Sequence, residues 1–172
     1  MAGCSDITAG RLRGCKTSLG GSATLFLYNY IEDPFTVLDG VATAVNVGLT
    51  AVYQYELEGD GNTLEESMVS DRNTGTRVNT QTLTFLLKKI DAVTSAEMNL
   101  LAGGFPQAVV KDRNGVYHAL AIDDGMDFTI VQGTGGAKTD LNGYTNTGVA
   151  TTGLLSPKLD AATITAFEAL VV

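Results

Sequence analysis

Residues 77–89 read Arg77-Val-Asn-Thr-Gln-Thr-Leu-Thr-Phe-Leu-Leu-Lys-Lys89. Val78, Thr80, Thr82 and Thr84 fall on one side of an extended chain, and Gln81, Leu83 and Phe85 on the other. Period two over so many residues specifies a strand with one buried face, because successive side chains point to opposite sides of a sheet. Residues 49–58 repeat the pattern, with Tyr53, Tyr55 and Leu57 opposing Val52, Gln54, Glu56 and Glu58. Further strands are predicted over residues 23–28, 128–131 and 143–147. Residues 107–111 and 116–122 form a hairpin through Arg113-Asn114-Gly115, since Asn-Gly tolerates the positive φ of a tight turn. Residues 163–171 close the chain as a strand. A helix over 160–170 is the alternative, disfavoured by its threonines.

One helix is predicted over 94–103. Thr94-Ser-Ala-Glu97 has the form of a capping box, and Gly103-Gly104 supplies the stop. The fold class is therefore mainly β: an antiparallel sandwich or barrel of about eight strands with one short flanking α-helix. Residues 1–22 are glycine-rich and read as an N-terminal arm. Residues 23–172 read as a single domain with a long polar loop at 59–76, whose flanking strands form a protruding hairpin. Composition agrees, with 22 threonines and 20 glycines among 172 residues and 17% charged residues.

The net charge of −8 opposes nucleic-acid affinity, which rests on cations displacing counterions from phosphate. Its distribution is uneven. Between Thr17 and Asp71 there is no lysine or arginine, while nine acids fall there: Glu32, Asp33, Asp39, Glu56, Glu58, Asp60, Glu65, Glu66 and Asp71. The arm carries Arg11, Arg13 and Lys16 against Asp6. Two readings fit: a solvated acidic surface, or complementary faces in which a basic arm on one subunit meets an acidic face on the next. The apolar runs are far shorter than the ~20 residues of a membrane helix, and no signal peptide is evident. Cys4 and Cys15 read as free thiols of a protein made in the cytosol.

Chemical motifs are weak. Gly133-Thr-Gly-Gly-Ala-Lys-Thr139 lacks the glycine before lysine that a phosphate loop needs. Asp123, Asp124 and Asp127 lack calcium-loop spacing. His118 lies within a strand, and no nucleophile elbow or triad assembles around it. The sequence predicts neither an enzyme nor a bound cofactor or metal.

A resemblance carries the reading further. Phe128-Thr-Ile130, a glycine-rich loop, Thr139-Asp-Leu-Asn-Gly-Tyr144, Pro157 and a final alternating segment resemble structural proteins of tailed-bacteriophage virions, most of all the major tail-tube and neck-ring group. Gly14-Cys-Lys16 and Gly20-Gly21 ahead of Leu25-Phe-Leu-Tyr28 are similar to the same group. The resemblance covers the first 30 and last 45 residues or so, and residues 145–153 depart from it where a longer apolar strand is expected. It implies a virion subunit, assembled in the bacterial cytoplasm, that forms homo-oligomeric rings, commonly hexamers, stacked around a channel. DNA passes through that channel without specific binding. Other tail or neck proteins are the implied partners, and no membrane is involved. The alternative is a neck or connector ring, or a capsid-decoration or host-attachment β-sandwich module. Arg11, Arg13, Lys16, Glu65, Glu66, Asp71 and Arg72 are the expected assembly residues. Glu32, Asp33, Asp39, Glu56, Glu58 and Asp60 are the expected channel lining.

Overall fold

The computed structural model describes Ile7 and residues 9–172. In chain order its elements are β1 (Ser22–Tyr28), β2 (Phe35–Leu38), β3 (Val41–Val45), β4 (Tyr53–Glu56), β5 (Thr63–Asp71), β6 (Thr76–Lys88), α1 (Ala92–Gly103), β7 (Gln107–Asp112), β8 (Tyr117–Leu120), β9 (Asp127–Gly133), β10 (Gly143–Thr152), β11 (Lys158–Leu159) and α2 (Ala161–Glu168). They build one sheet of order β2-β3-β11-β8-β7-β1-β4 and a second of order β5-β6-β10-β9. Every pairing is antiparallel except that of β3 with β11. The fold is a β-sandwich of mainly β character, and no barrel closes.

Its layers follow from two kinds of strand. In β6, Asn79, Gln81, Leu83 and Phe85 are buried while the residues between them are half-exposed, so only one face is covered. In β1 the run from Leu25 to Tyr28 is buried without interruption, as a strand covered on both sides requires. Leu25, Leu27, Val110 and Leu120 pack towards Leu83, Phe85 and Tyr144 of the smaller sheet, with Met98 and Leu101 of α1 closing the end of that core. Phe26, Tyr28, Val109 and Ala119 face the other way, onto Phe167 of α2. The sheets are also joined by a hydrogen bond, the Ala121 amide donating to Gln81 Oε1 at 2.8 Å. Gly148 of β10 meets the Phe128 ring so closely that an added Cβ would lie 2.6 Å from it. Only glycine lets that ring fill the core there.

Several expectations are corrected. Eleven strands replace about eight, and two helices replace one. The long loop at 59–76 is mostly strand: β5 pairs with β6 from Thr63↔Thr84 to Asp71↔Thr76. Its pattern is hard to read because an edge strand needs few apolar positions, and Glu66 occupies an inward one between Leu64 and Met68. What remains is a hairpin with the four-residue turn 72–75, closed by the Gly75 amide on Asp71 O at 2.9 Å and the Asn73 amide on Asp71 Oδ1 at 2.8 Å. The pairing of β6 with β10 ends at Asn79, so the hairpin tip protrudes and leaves Val69 and Val78 exposed.

Residues 163–171 are corrected from strand to helix. Asp160 caps α2 by accepting from the Thr163 amide at 2.7 Å, and Thr163 and Phe167, four apart, form its buried side. The Thr165 hydroxyl donates back to Ala161 O at 3.1 Å, so threonine is accommodated within the helix. The cap of α1 is likewise Asp91, which accepts from both the amide and hydroxyl of Thr94, and not Thr94 itself. Residues 35–45, over which no strand is predicted, form the β2–β3 hairpin; Asp39 and Gly40 at its turn both have positive φ, as a tight hairpin demands. Cys4 lies outside the described residues, and Cys15 is exposed.

Candidate assembly surfaces

The central strands β8, β7 and β1 of the seven-stranded sheet are covered on both faces, whereas the smaller sheet is covered on one. Its register arranges the outer face in rows. Thr63, Thr84, Thr147 and Thr129 lie side by side across all four strands. The next row is Glu65, Thr82, Val149 and Asp127, flanked by a row of Ser67, Thr80 and Thr151. On the other side stand Leu86, Thr145 and Val131. Eight threonines thus populate a surface whose charges are the acids Glu65 and Asp127, with Lys88 at one end. Lys88 is tied to Glu58 at 2.9 Å, and the lysine's hydrogen bond and charge hold the Glu58 carboxyl below its usual range. Among the described residues neither β5 nor β9 has a strand partner on its outer side. Unpaired edges of this length present rows of free amides and carbonyls, which in soluble proteins invite strand addition.

The inner side of β5 holds the densest polar cluster. Glu66 accepts from the Ser156 amide at 2.8 Å, from the Ser156 hydroxyl and from Asn79 Nδ2 at 2.9 Å. Lys158 Nζ stands 3.9 Å away and donates to Ser156 O and Oγ. Burial pushes the Glu66 carboxyl up, but the hydrogen bonds from Ser156 and Asn79 and the charge of Lys158 together keep it below the ordinary glutamate value. Burial lowers Lys158 in turn, against the raising pull of Glu66 and Asp112. Beside this cluster an apolar groove of about 480 Å³ opens between the β2–β3 turn, β5 and the β10–β11 connection.

The expected site residues distribute as follows. Glu66 is used inside its own chain, whereas Glu65 is exposed on the threonine face. Asp71 and Arg72 sit at the tip of the β5–β6 hairpin. Arg11, Arg13 and Lys16 are exposed along a segment without secondary structure, whose far end is fastened by two hydrogen bonds of 2.8 Å between the Leu19 backbone and Asn114. The six expected channel acids are not gathered on one surface. Glu32 and Asp33 lie between β1 and β2, Asp39 at the β2–β3 turn and Glu56 on the edge strand β4. Glu58 borders the threonine face through Lys88, and Asp60 stands 3.6 Å from Arg113.

His118 is half-buried on β8. Its Nε2–H donates to Asp112 at 3.3 Å, and its Nδ1 is buried without a partner among the described residues. Burial first, and then the charge of Lys158, lower its pKa, overriding the pull of Asp112 and Glu66. In the glycine-rich loop after β9, Asp140 accepts from the amides of Ala137 and Gly136 at 2.8 and 2.9 Å, which lowers its pKa and occupies the amides a phosphate would use. Among the described residues no group of three or more His, Cys, Asp or Glu is placed to hold a metal ion, and no helix is long and apolar enough to cross a membrane.

The threonine rows were missed by sequence reasoning. The signal is present as Thr80-x-Thr-x-Thr84 and Thr145-x-Thr147, but their alignment depends on cross-strand register. No protein-family model, curated protein or solved structure matches the chain.

Proposed function

We propose that this chain is the subunit of a self-assembling ring or tube on the DNA path of a tailed-bacteriophage virion. The observation that carries the reading is the smaller sheet, bare on one face and open at both edges. Pairing β5 of one copy with β9 of the next satisfies both edges and generates a heterologous contact, which closes into a ring when the rotation permits. The threonine face then lines the inside. Neutral hydroxyls with Glu65 and Asp127 at the flanks offer phosphates no cation but Lys88, which Glu58 pairs at 2.9 Å, so DNA meets little salt-dependent attraction. Glu65 and Asp127 take the lumenal role in this arrangement, together with Glu58 at the margin. The protein has no catalytic part in it.

Native mass spectrometry and negative-stain electron microscopy of the purified protein test the proposal. Closed rings or stacked rings with a central channel are expected. A monomer at all concentrations up to the millimolar range excludes it and favours a monomeric decoration or attachment module.

A further inference from the structure

The apolar groove beside Glu66 is lined by Val37, Met68, Ile122, Leu154, Leu155 and Pro157. Leu154 and Leu155 on its lip are 62% and 54% exposed. Apolar side chains grouped around a cavity in this way mark a surface made for a partner. The rim is acidic: Asp123 lines it, Asp124 follows, and Asp39 precedes the lining residue Gly40. None of these three acids is in an ion pair among the described residues. Two cations stand nearby: Lys158 is offset by Glu66 at 3.9 Å, and Arg77, whose Nε donates to Gly153 O at 3.1 Å, keeps its charge but is outnumbered by the three acids.

The arm has the opposite character. Leu12 is 94% exposed between Arg11 and Arg13, and neither arginine nor Lys16 is in an ion pair among the described residues. The base of the arm and the Ile122–Asp123 side of the groove also lie at opposite ends of the β1–β7 pair. The arm departs beside the Ser22↔Asp112 end of the β1–β7 pair, where Asn114 fastens Leu19. Ile122 and Asp123 belong to the Tyr28↔Gln107 end, where Gln107 Nε2 donates to Ile122 O and the Tyr30 hydroxyl to Asp123 O. The seven residues of β1 separate these ends by roughly 20 Å. Two copies placed end to end bring the arm of one to the groove of the other.

We infer that the arm of one copy docks in the groove of a second, with Leu12 entering between Leu154, Leu155 and Met68. The long stems of Arg11 and Arg13 carry their guanidinium groups to the acids of the rim. The contact is heterologous and repeats indefinitely, so it serves stacking of one ring on the next. This inference rests on the proposal of a self-assembling subunit and names the surface that stacks.

A photo-crosslinking residue in place of Leu12, in an equal mixture of isotopically light and heavy protein, tests it. Crosslinks between light and heavy copies should map to residues 37–41, 68, 122–124 or 152–157. Separately, R11E/R13E should weaken stacking about tenfold or more, and D39K/D123K on the same chain should restore it. Circular dichroism checks that each variant is folded. Crosslinks confined to one chain, or mapping elsewhere, overturn the inference, as does the absence of charge-swap rescue. Rings that form with the arm crosslinked elsewhere leave the ring reading standing and reject only the docking. A protein that never associates rejects both.

Discussion

The two sheets differ in both strand length and character, the larger built of strands of 2 to 7 residues and the smaller of strands of 7 to 13. Apart from its edges, the larger one is buried on both faces, by α2 on one side and by the smaller sheet on the other. The smaller sheet spends one face on the common core and leaves the other bare and rich in threonine. Burial on both faces gives uninterrupted apolar runs such as Leu25–Tyr28, whereas one-sided burial gives the alternation of β6. One sheet therefore holds the subunit together, and the other is free to be a working surface. Substitutions should separate these two tasks.

The largest effect is expected where the larger sheet meets α2. Phe167 is fully buried, with its ring 5.4 Å from that of Phe26 in an edge-to-face arrangement and 5.8 Å from that of Phe35. Phe167→Ala removes the central ring of this cluster and leaves a cavity, at a cost of about 3–5 kcal/mol. Urea denaturation should show the loss. A change below about 1 kcal/mol would mean that α2 adds little to the sheet it covers.

Glu66 lies between the two tasks, since it anchors the β10–β11 connection to β5. Glu66→Ala leaves the Ser156 amide without its acceptor and Lys158 without its countercharge, and should cost about 2–3 kcal/mol. The same cluster sets an acid limit. The folded-state pKa of Glu66 is depressed, so its stabilisation is present above the ordinary glutamate value and is lost as pH falls through the folded one. The pKa of His118 is also depressed, and the linkage has the same sign, because the unfolded chain again binds the proton more readily. The unfolded chain takes up its proton near pH 6.5 while the folded chain resists, so stability falls as pH drops below that value. Each group contributes a slope of at most about 1.4 kcal/mol per pH unit. Melting scans from pH 8 to 4 should show a decline beginning near pH 6.5 that His118→Gln removes. A decline that survives the substitution assigns it to other groups.

In the larger sheet β1, β7 and β8 were legible, as was β6 in the smaller, because their patterns were unambiguous and the Asn114-Gly115 turn fixed the β7–β8 hairpin. By contrast, β2, β3 and β11 are too short to show a period. Other elements escaped for local physical reasons. Glu66 turned inward disguised β5 as a polar loop, because its partners, Ser156 and Lys158, are 90 residues away or more. Threonines at 163 and 165 suggested a strand, yet Asp160 supplied a helix cap and the spacing of Thr163 and Phe167 matched a helix face. The charge contrast between arm and domain was visible, but not the groove, which is made of residues from five separate parts of the chain. The acids expected in the channel were chosen by density along the sequence, and folding distributed them over different edges and turns.

The smallest effect is expected on the threonine face, and it is the sharpest test of the comparison. Thr82 and Thr147 stand on adjacent strands, half-exposed, between buried neighbours of the opposite face. Valine has the same shape and a comparable strand preference, so Thr82→Val and Thr147→Val should each change subunit stability by no more than about 0.5 kcal/mol. Leu83→Ala, one residue along β6 but facing the core, should cost about 2–5 kcal/mol. The contrast between adjacent positions measures how one-sided the sheet is. In assembled particles the same valine substitutions should leave ring formation unchanged if the face lines a channel, because a lumenal wall touches no neighbour. If the face were itself a contact between copies, exchanging its hydroxyls for methyls would shift the assembly midpoint, and sedimentation of the assembled and free fractions would reveal it. An altered midpoint with unaltered subunit stability would move the interface from the edges β5 and β9 onto the face itself.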